Sequence, residues 1–70
     1  MKKQFRVMDE SIVVGKTDDE SIIPMMIKTF IRATAGHCNM SVEEITNGEY
    51  HKADRFCDMV DRYMTEYKWA

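Results

Sequence analysis

The chain contains few cysteines, prolines and glycines: two, one and three, respectively, in 70 residues. Cys38 and Cys57 could form at most one disulfide. The basic start is not followed by the apolar stretch of a signal peptide, so we expect free thiols in a reducing, cytoplasmic setting. No apolar run approaches the roughly 20 residues that cross a bilayer, so we expect no membrane-spanning segment.

An excess of positive charge is also missing. Ten basic and twelve acidic side chains give a net charge of −2. Proteins that bind nucleic acid usually carry clustered lysine and arginine, because neutralising phosphates supplies much of their affinity. The charge balance therefore favours a protein partner over direct binding to nucleic acid.

Motifs for catalysis and metal binding are absent as well. The sequence contains no glycine-rich phosphate loop and no nucleophile motif. The only soft metal ligands besides methionine are His37, Cys38, His51 and Cys57. Their spacing does not match the paired cysteines or histidines of zinc sites. We predict a protein that is not an enzyme and that has no metal site and no cofactor.

The length of the chain and its residue patterns predict one small α+β domain that begins with a β-hairpin over residues 4–16. Phe5 and Val7 alternate with polar residues, and the β-branched run at 12–14 ends at Gly15. Alternation and β-branching are typical of strands. The residues between them are a poor match to tight turns, which indicates a loop of about four residues.

The middle of the chain predicts a helix over residues 22–35. Ser21 is a suitable N-cap, Pro24 fits the first turn, and Gly36 can end the helix in a left-handed conformation. Apolar residues recur at helical spacing and define one face for the core. The face consists of Ile23, Met26, Ile27, Phe30 and Ile31, with Thr34 at its end.

The last third predicts a short connecting helix over 42–47 and a longer helix over 49–69. Ser41 and Glu44 have the spacing of a capping box, and Asn47 with Gly48 would end the short helix. No glycine or proline interrupts the rest. The expected order is thus a hairpin followed by two main helices and a short connecting helix, without an internal repeat.

The predicted last helix has two contrasting faces. Within its apolar half, five residues recur at alternating steps of three and four, as in the contact seam of a coiled coil. This spacing suits a homodimer. The seam candidates are Ala53, Phe56, Val60, Tyr63 and Tyr67. Three aspartates form a narrow stripe on the opposite side, and aromatic residues, which are enriched at interfaces, cluster near the end. The candidate partner-binding residues are Asp54, Asp58, Asp61, Tyr63, Tyr67 and Trp69.

Two features keep alternatives open. Trp69 could cover the hairpin or could be an exposed anchor for a partner. The seven methionines could fill gaps in a small core or form an adaptable binding surface, since the thioether side chain is flexible.

Residues 41–62 also suggest a helix-turn-helix, and therefore a DNA-binding regulator as the alternative function. The stretch "HCNMSVEEI" at 37–45 resembles part of the DNA-binding domain of the bacterial replication initiator DnaA. The basic and hydroxyl residues with which that family grips DNA are not matched in the following segment. The outward aspartates would also repel phosphate.

A second resemblance concerns the first half of the chain. The stretch "DDESIIPMMIKTFIRATAG" after a hairpin resembles small phage-encoded accessory proteins, including some anti-CRISPR proteins that combine a short sheet with such a helix and an acidic, aromatic end. The resemblance implies a non-enzymatic inhibitor or adaptor that binds a host nucleic-acid-handling complex in stoichiometric amounts.

Overall fold

A computed structural model describes residues 3–69 and confirms the α+β class. In chain order the elements are β1 (Phe5–Asp9), β2 (Ile12–Thr17), a 3₁₀ turn (Glu20–Ile22), α1 (Ile23–Ala33), β3 (Met40–Thr46), β4 (Glu49–Lys52) and α2 (Asp54–Trp69). The strands form one antiparallel sheet in the order β2-β1-β3-β4. Within residues 3–69, neither helix combines the length and the apolar character needed to cross a membrane.

The N-terminal hairpin lies where it is predicted, but its loop is shorter than expected. Asp9 pairs with Ile12, so only Glu10 and Ser11 form the loop. Glu10 accommodates this tight connection by adopting a positive φ of 56°. Val7 pairs with Gly15 and Met8 with Val13, which leaves Val14 as the extra residue of a β-bulge.

Helix α1 also lies close to its prediction, although Ser21 is not its cap. The Asp19 side chain accepts a hydrogen bond from the Ser21 backbone N–H at 3.0 Å and thereby starts a 3₁₀ turn. Pro24 follows in the first turn of the α-helix, where its missing N–H is not needed. Beyond the other end, Gly36 has a φ of 80°, as expected for a helix-ending glycine.

The prediction of a short helix over residues 42–47 is wrong, because residues 42–46 belong to strand β3 and Asn47 lies in the loop that follows. Met40 and Val42 are buried and alternate with Ser41 and Glu43, and residues 40–44 pair with β1. Asn47 and Gly48 both have positive φ and form the two-residue loop of a second hairpin. Strand β4 takes up residues 49–52, so the last helix begins at Asp54 rather than at residue 49.

The structure therefore repeats an arrangement that the sequence does not reveal. A hairpin followed by a helix occurs twice, as β1-β2-α1 and as β3-β4-α2. The two central strands, β1 and β3, pair antiparallel with Val7 opposite Val42. This strand order is the one that an approximate two-fold axis through the central pair would produce. We call the halves the first and second ββα units.

Both units contribute to a single core on one face of the sheet. Phe5 and Phe56 meet edge to face, with ring centroids 5.7 Å apart, and link the first strand to the last helix. The buried cluster is Phe5, Val7, Ile23, Ile27, Ile31, Met40, Val42, Ala53, Phe56 and Val60. Because neither unit buries its apolar face alone, we expect the two units to fold together.

Candidate protein-binding surfaces

An apolar groove lies between α1 and the edge strand β2. It has a volume of about 400 Å³. The bulge turns both Val14 and Gly15 toward the helix, and a side chain at Gly15 would come within 2.5 Å of the Met26 methyl group. Glycine at this position therefore leaves room for Met26. The lining is almost entirely apolar and consists of Val7, Val14, Gly15, Ile22, Met25, Met26, Thr29, Phe30 and Ala33.

The rim of this groove and the adjoining edge strand expose large aliphatic side chains. Met25 is 69% exposed and Ile12 is 66% exposed. We use the name α1–β2 surface for Ile12, Val13, Val14, Ile22 and Met25. Ile22, Met25 and Val14 line the groove, and Ile12 and Val13 extend the exposed apolar area along the two sides of the edge strand. Exposed apolar side chains next to an apolar groove mark an interaction site more often than isolated ones do.

Sequence reasoning missed the α1–β2 surface. Two signals pointed to it: the run Ile12-Val13-Val14 is apolar on both faces of a strand, and Met25 falls outside the helical spacing that defines the core face of α1. Neither signal shows by itself that β2 is an edge strand. That property follows from the pairing of β1 with β3.

The opposite edge of the sheet has a different character. Strand β4 exposes Glu49, His51 and Lys52. Tyr50 is half-buried on the sheet face without helices, where the Arg6 guanidinium stacks 3.7 Å from its ring centroid. Charged side chains protect an edge strand from pairing with other chains. Within residues 3–69, only β2 thus presents an apolar sheet edge.

The face of the sheet without helices carries several basic side chains. Arg6 pairs across the strands with Lys16 and with Glu43, and its Nε lies 2.6 Å from Glu43 Oε1. Lys52 is also opposite Glu43. Glu43 therefore lies between Arg6 and Lys52 and reduces the positive potential that a nucleic-acid surface would need.

The structure does not contain the helix-turn-helix that we suggested for residues 41–62. That motif requires a helix before the recognition helix, and residues 40–46 form a strand instead. The local resemblance to DnaA at 37–45 therefore falls on a loop and a strand of this fold. In addition, Asp54, Asp58 and Asp61 all point to solvent from α2.

The predicted partner-binding residues divide between two sides of α2. Trp69 is 85% exposed, so it does not cover the hairpin. It lies eleven residues after Asp58, which is only about 20° around the helix at ~100° per residue. We use the name acidic face for Asp54, Asp58, Asp61 and Trp69. These residues share one solvent-exposed side of the helix.

Tyr63 and Tyr67 lie on the other side of α2, next to α1. Together with Lys28 and Arg32 they line a small cleft of about 220 Å³ between the helices. Lys28 Nζ lies 4.6 Å from the Tyr63 ring centroid, within the range of a cation–π contact. Tyr63 is half-buried and packs against the core. The two tyrosines therefore do not form one surface with the aspartates.

The prediction of a dimer seam on α2 is contradicted for three of its five residues, because they pack within one chain. Ala53, Phe56 and Val60 are 2%, 5% and 4% exposed and belong to the core. The apolar half of α2 closes over strand β3, which the sequence-based prediction had not included as a strand. Only Tyr63 and Tyr67 of the seam keep accessible surface.

A charged cluster at the base of α2 connects the two units. Arg55 donates hydrogen bonds to Glu20 Oε1 and lies 3.7 Å from Glu44 Oε2, while Lys3 Nζ lies 3.8 Å from the same Glu44 atom. The hydrogen bonds to Glu20 raise the pKa of Arg55 above its usual value. Arg55 also lies over the Phe56 ring at 4.6 Å. These contacts fix the start of α2 on the sheet.

Both cysteines are half-buried free thiols. Cys57 Sγ lies 3.7 Å from the Val42 carbonyl oxygen, and Cys38 Sγ lies 4.0 Å from Met64 Sδ. In the part of the chain that the structure describes, histidine, cysteine and acidic side chains do not gather in a group of three that could hold a metal ion.

Comparisons with known proteins do not add an assignment. No protein-family model matches the chain, and no curated protein and no solved structure matches it significantly. The functional argument therefore depends on the surfaces described above.

Proposed function

We propose that this chain is a small, non-enzymatic protein-binding module that acts as a stoichiometric inhibitor or adaptor. The observation that supports this proposal is the α1–β2 surface, where an apolar groove adjoins the outer edge of an apolar strand. Such a surface suits an extended protein segment that adds a strand to the sheet and places apolar side chains in the groove.

The energetics favour this mode of binding. Full burial of a valine, isoleucine or methionine side chain contributes about 1.5–3 kcal/mol. Association costs an estimated 4–15 kcal/mol in lost rotational and translational freedom. Five partly exposed side chains offset the lower part of that range. Backbone hydrogen bonds to β2 and good packing in the groove would add the specificity that hydrophobic contact lacks.

The acidic face offers a second surface, for a partner of different chemistry. Its three carboxylates and the exposed Trp69 suit a basic protein surface with an apolar pocket. Proteins that handle nucleic acid carry such basic surfaces. This arrangement supports the proposal that the module is directed at a host nucleic-acid-handling complex, in the manner of phage-encoded inhibitors.

Capture of partners by the immobilised chain tests the proposal. Met25→Lys places a charge on the α1–β2 surface, and Trp69→Ala removes the anchor of the acidic face. His51→Lys adds the same charge as Met25→Lys at an exposed position of strand β4, outside both surfaces, and serves as the control. We expect a protein bound in about equimolar amount to be lost with Met25→Lys or with Trp69→Ala and kept with His51→Lys.

All three variants change exposed side chains, so circular dichroism should show an unchanged fold. Equal capture by all variants and the wild type would contradict the proposed function. Retention of duplex DNA with a steep dependence on salt concentration would instead support the alternative DNA-binding function.

A further inference from the structure

We propose that the α1–β2 surface binds the same surface of a second copy of this chain, so that strand β2 pairs antiparallel with β2 of the partner copy. The two four-stranded sheets would then become one continuous sheet of eight strands around a two-fold axis. This inference rests on the proposed function, because it names the segment that occupies the binding surface.

The sequence of β2 is self-complementary when the two-fold axis passes beside Val13. Val13 of one copy then lies opposite Val13 of the other, on the sheet face without helices. Ile12 of one copy lies opposite Val14 of the other, on the side of the helices. The exposed aliphatic side chains of the strand thus cover one another, which removes the feature that makes this edge unfavourable in water.

The charges at the ends of β2 complement each other in the same register. Lys16, at one end of the strand, comes alongside the Glu10–Ser11 loop of the other copy, and the symmetry repeats this contact. Lys16 and Glu10 are both exposed within one chain. A lysine and a bulge normally discourage pairing at an edge strand. Here the lysine would be matched by an acidic residue of an identical strand, whereas an unrelated strand would lack that residue.

A dimer interface of ordinary size would need only a modest share of the surface of this chain. A stable interface buries about 800 Å² on each partner. That amount is roughly a sixth of the 4952 Å² accessible surface of the chain. The β2 backbone, the groove and the outer side of α1 together form one side of the first unit. The acidic face belongs to the second unit, so the dimer would present two acidic faces to its target and gain from bivalent binding.

Sedimentation equilibrium tests the dimer directly. At about 0.1 mM we expect the wild-type chain to be a dimer, with a dissociation constant in the micromolar range. Val13→Lys should give a monomer, because two lysines would meet at the axis. His51→Lys adds the same charge to the other sheet edge and should leave the dimer intact. A monomeric wild type, or a Val13→Lys chain that still dimerises, would overturn the inference.

A charge exchange tests the register. Glu10→Lys and Lys16→Glu should each weaken the homodimer by about tenfold at low salt, because two symmetric contacts change from attraction to repulsion. Mixing the two variants should restore a heterodimer, since its contacts again join opposite charges. Asp58→Lys is the control for Glu10→Lys and should have no effect. Unchanged self-association in both single variants would rule out this register.

The outcomes also separate this inference from the proposed function. A monomeric chain whose partner capture is lost with Met25→Lys would keep the binding surface and exclude self-pairing. A dimer whose capture of other proteins is unaffected by Trp69→Ala and by Met25→Lys would support self-pairing and contradict the inhibitor or adaptor role.

Discussion

The two ββα units share an architecture but differ in what they leave exposed. The first unit exposes aliphatic side chains on its edge strand and on α1, whereas the second exposes charged side chains on its edge strand and aspartates on α2. The same arrangement of elements thus builds one common core and two different surfaces. This difference indicates that the core specifies the fold, and that association depends on the side chains that the core does not use.

The helices explain much of the contrast. Helix α2 has 16 residues and packs extensively on β3, so its apolar side is used within the chain. Helix α1 has 11 residues and buries only one row of isoleucines, while Ile22 and Met25 remain accessible beside β2. Apart from Tyr67 and Trp69 near the end of α2, the second unit therefore buries its large apolar side chains within the chain, whereas the first unit does not.

The largest expected effect concerns the shared core. Ile27→Ala in the first unit and Phe56→Ala in the second should each lower the free energy of unfolding by about 3 kcal/mol, because both side chains are buried. Each variant should still unfold in one transition in urea, followed by far-UV circular dichroism. Unfolding in two steps, with one unit lost before the other, would show that the units are separate cooperative bodies.

The two hairpin loops differ in how well their residues suit the backbone. Gly48 has a φ of 81°, so Gly48→Ala should cost about 1 kcal/mol. Glu10 has a φ of 56° with an unsuitable side chain, so Glu10→Asn should stabilise the chain by about 0.5 kcal/mol. Thermal unfolding measures both changes. Shifts of the same sign would contradict this account of the loops.

The sequence predicts the first unit well because its signals are local. Strand alternation, Pro24 near a helix start and Gly36 after its end all act within a few residues. The second unit was missed because β3 is stabilised by pairing with β1, more than thirty residues earlier. Asn47-Gly48 was the available signal, since this pair is typical of tight hairpins. The capping-box pattern at Ser41 and Glu44 outweighed it in our prediction.

The candidate surfaces were predictable only in part. The outward orientation of Asp54, Asp58 and Asp61 follows from helical periodicity and agrees with the structure. The exposure of Met25 and Ile12 depends on which strand lies at the sheet edge and on how much of α1 is covered. Both properties are set by tertiary pairing, which the periodicity of one segment does not contain.

The contact between the units provides a smaller test. Arg55 is about half exposed and joins Glu20 of the first unit to Glu44 of the second. Arg55→Ala should lower the free energy of unfolding by about 1 kcal/mol, partly by removing one of the two cations near the Glu44 carboxylate. The loss should be smaller in a Glu44→Gln background, because the carboxylate charge is then absent. An equal loss in both backgrounds would mean that Arg55 acts through Glu20 and Phe56 and not through the Glu44 charge.

The smallest effect concerns how the helix of each unit begins. Helix α2 follows β4 directly, with the Ala53 N–H donating to the Val42 carbonyl, whereas α1 needs the turn that Asp19 caps.

Hydrogen bonds from the Ser21 hydroxyl and backbone N–H lower the pKa of Asp19 below its ordinary value of 3.8. A lowered pKa in the folded state means that the charged cap stabilises the chain above pH 3.8. This contribution disappears as the pH falls through the folded-state pKa. An NMR titration should find that Ser21→Ala raises the Asp19 pKa, because the side-chain hydrogen bond that contributes most to the lowered value is lost. An Asp19 pKa that does not change in Ser21→Ala would mean that the side-chain hydrogen bond does not hold the cap.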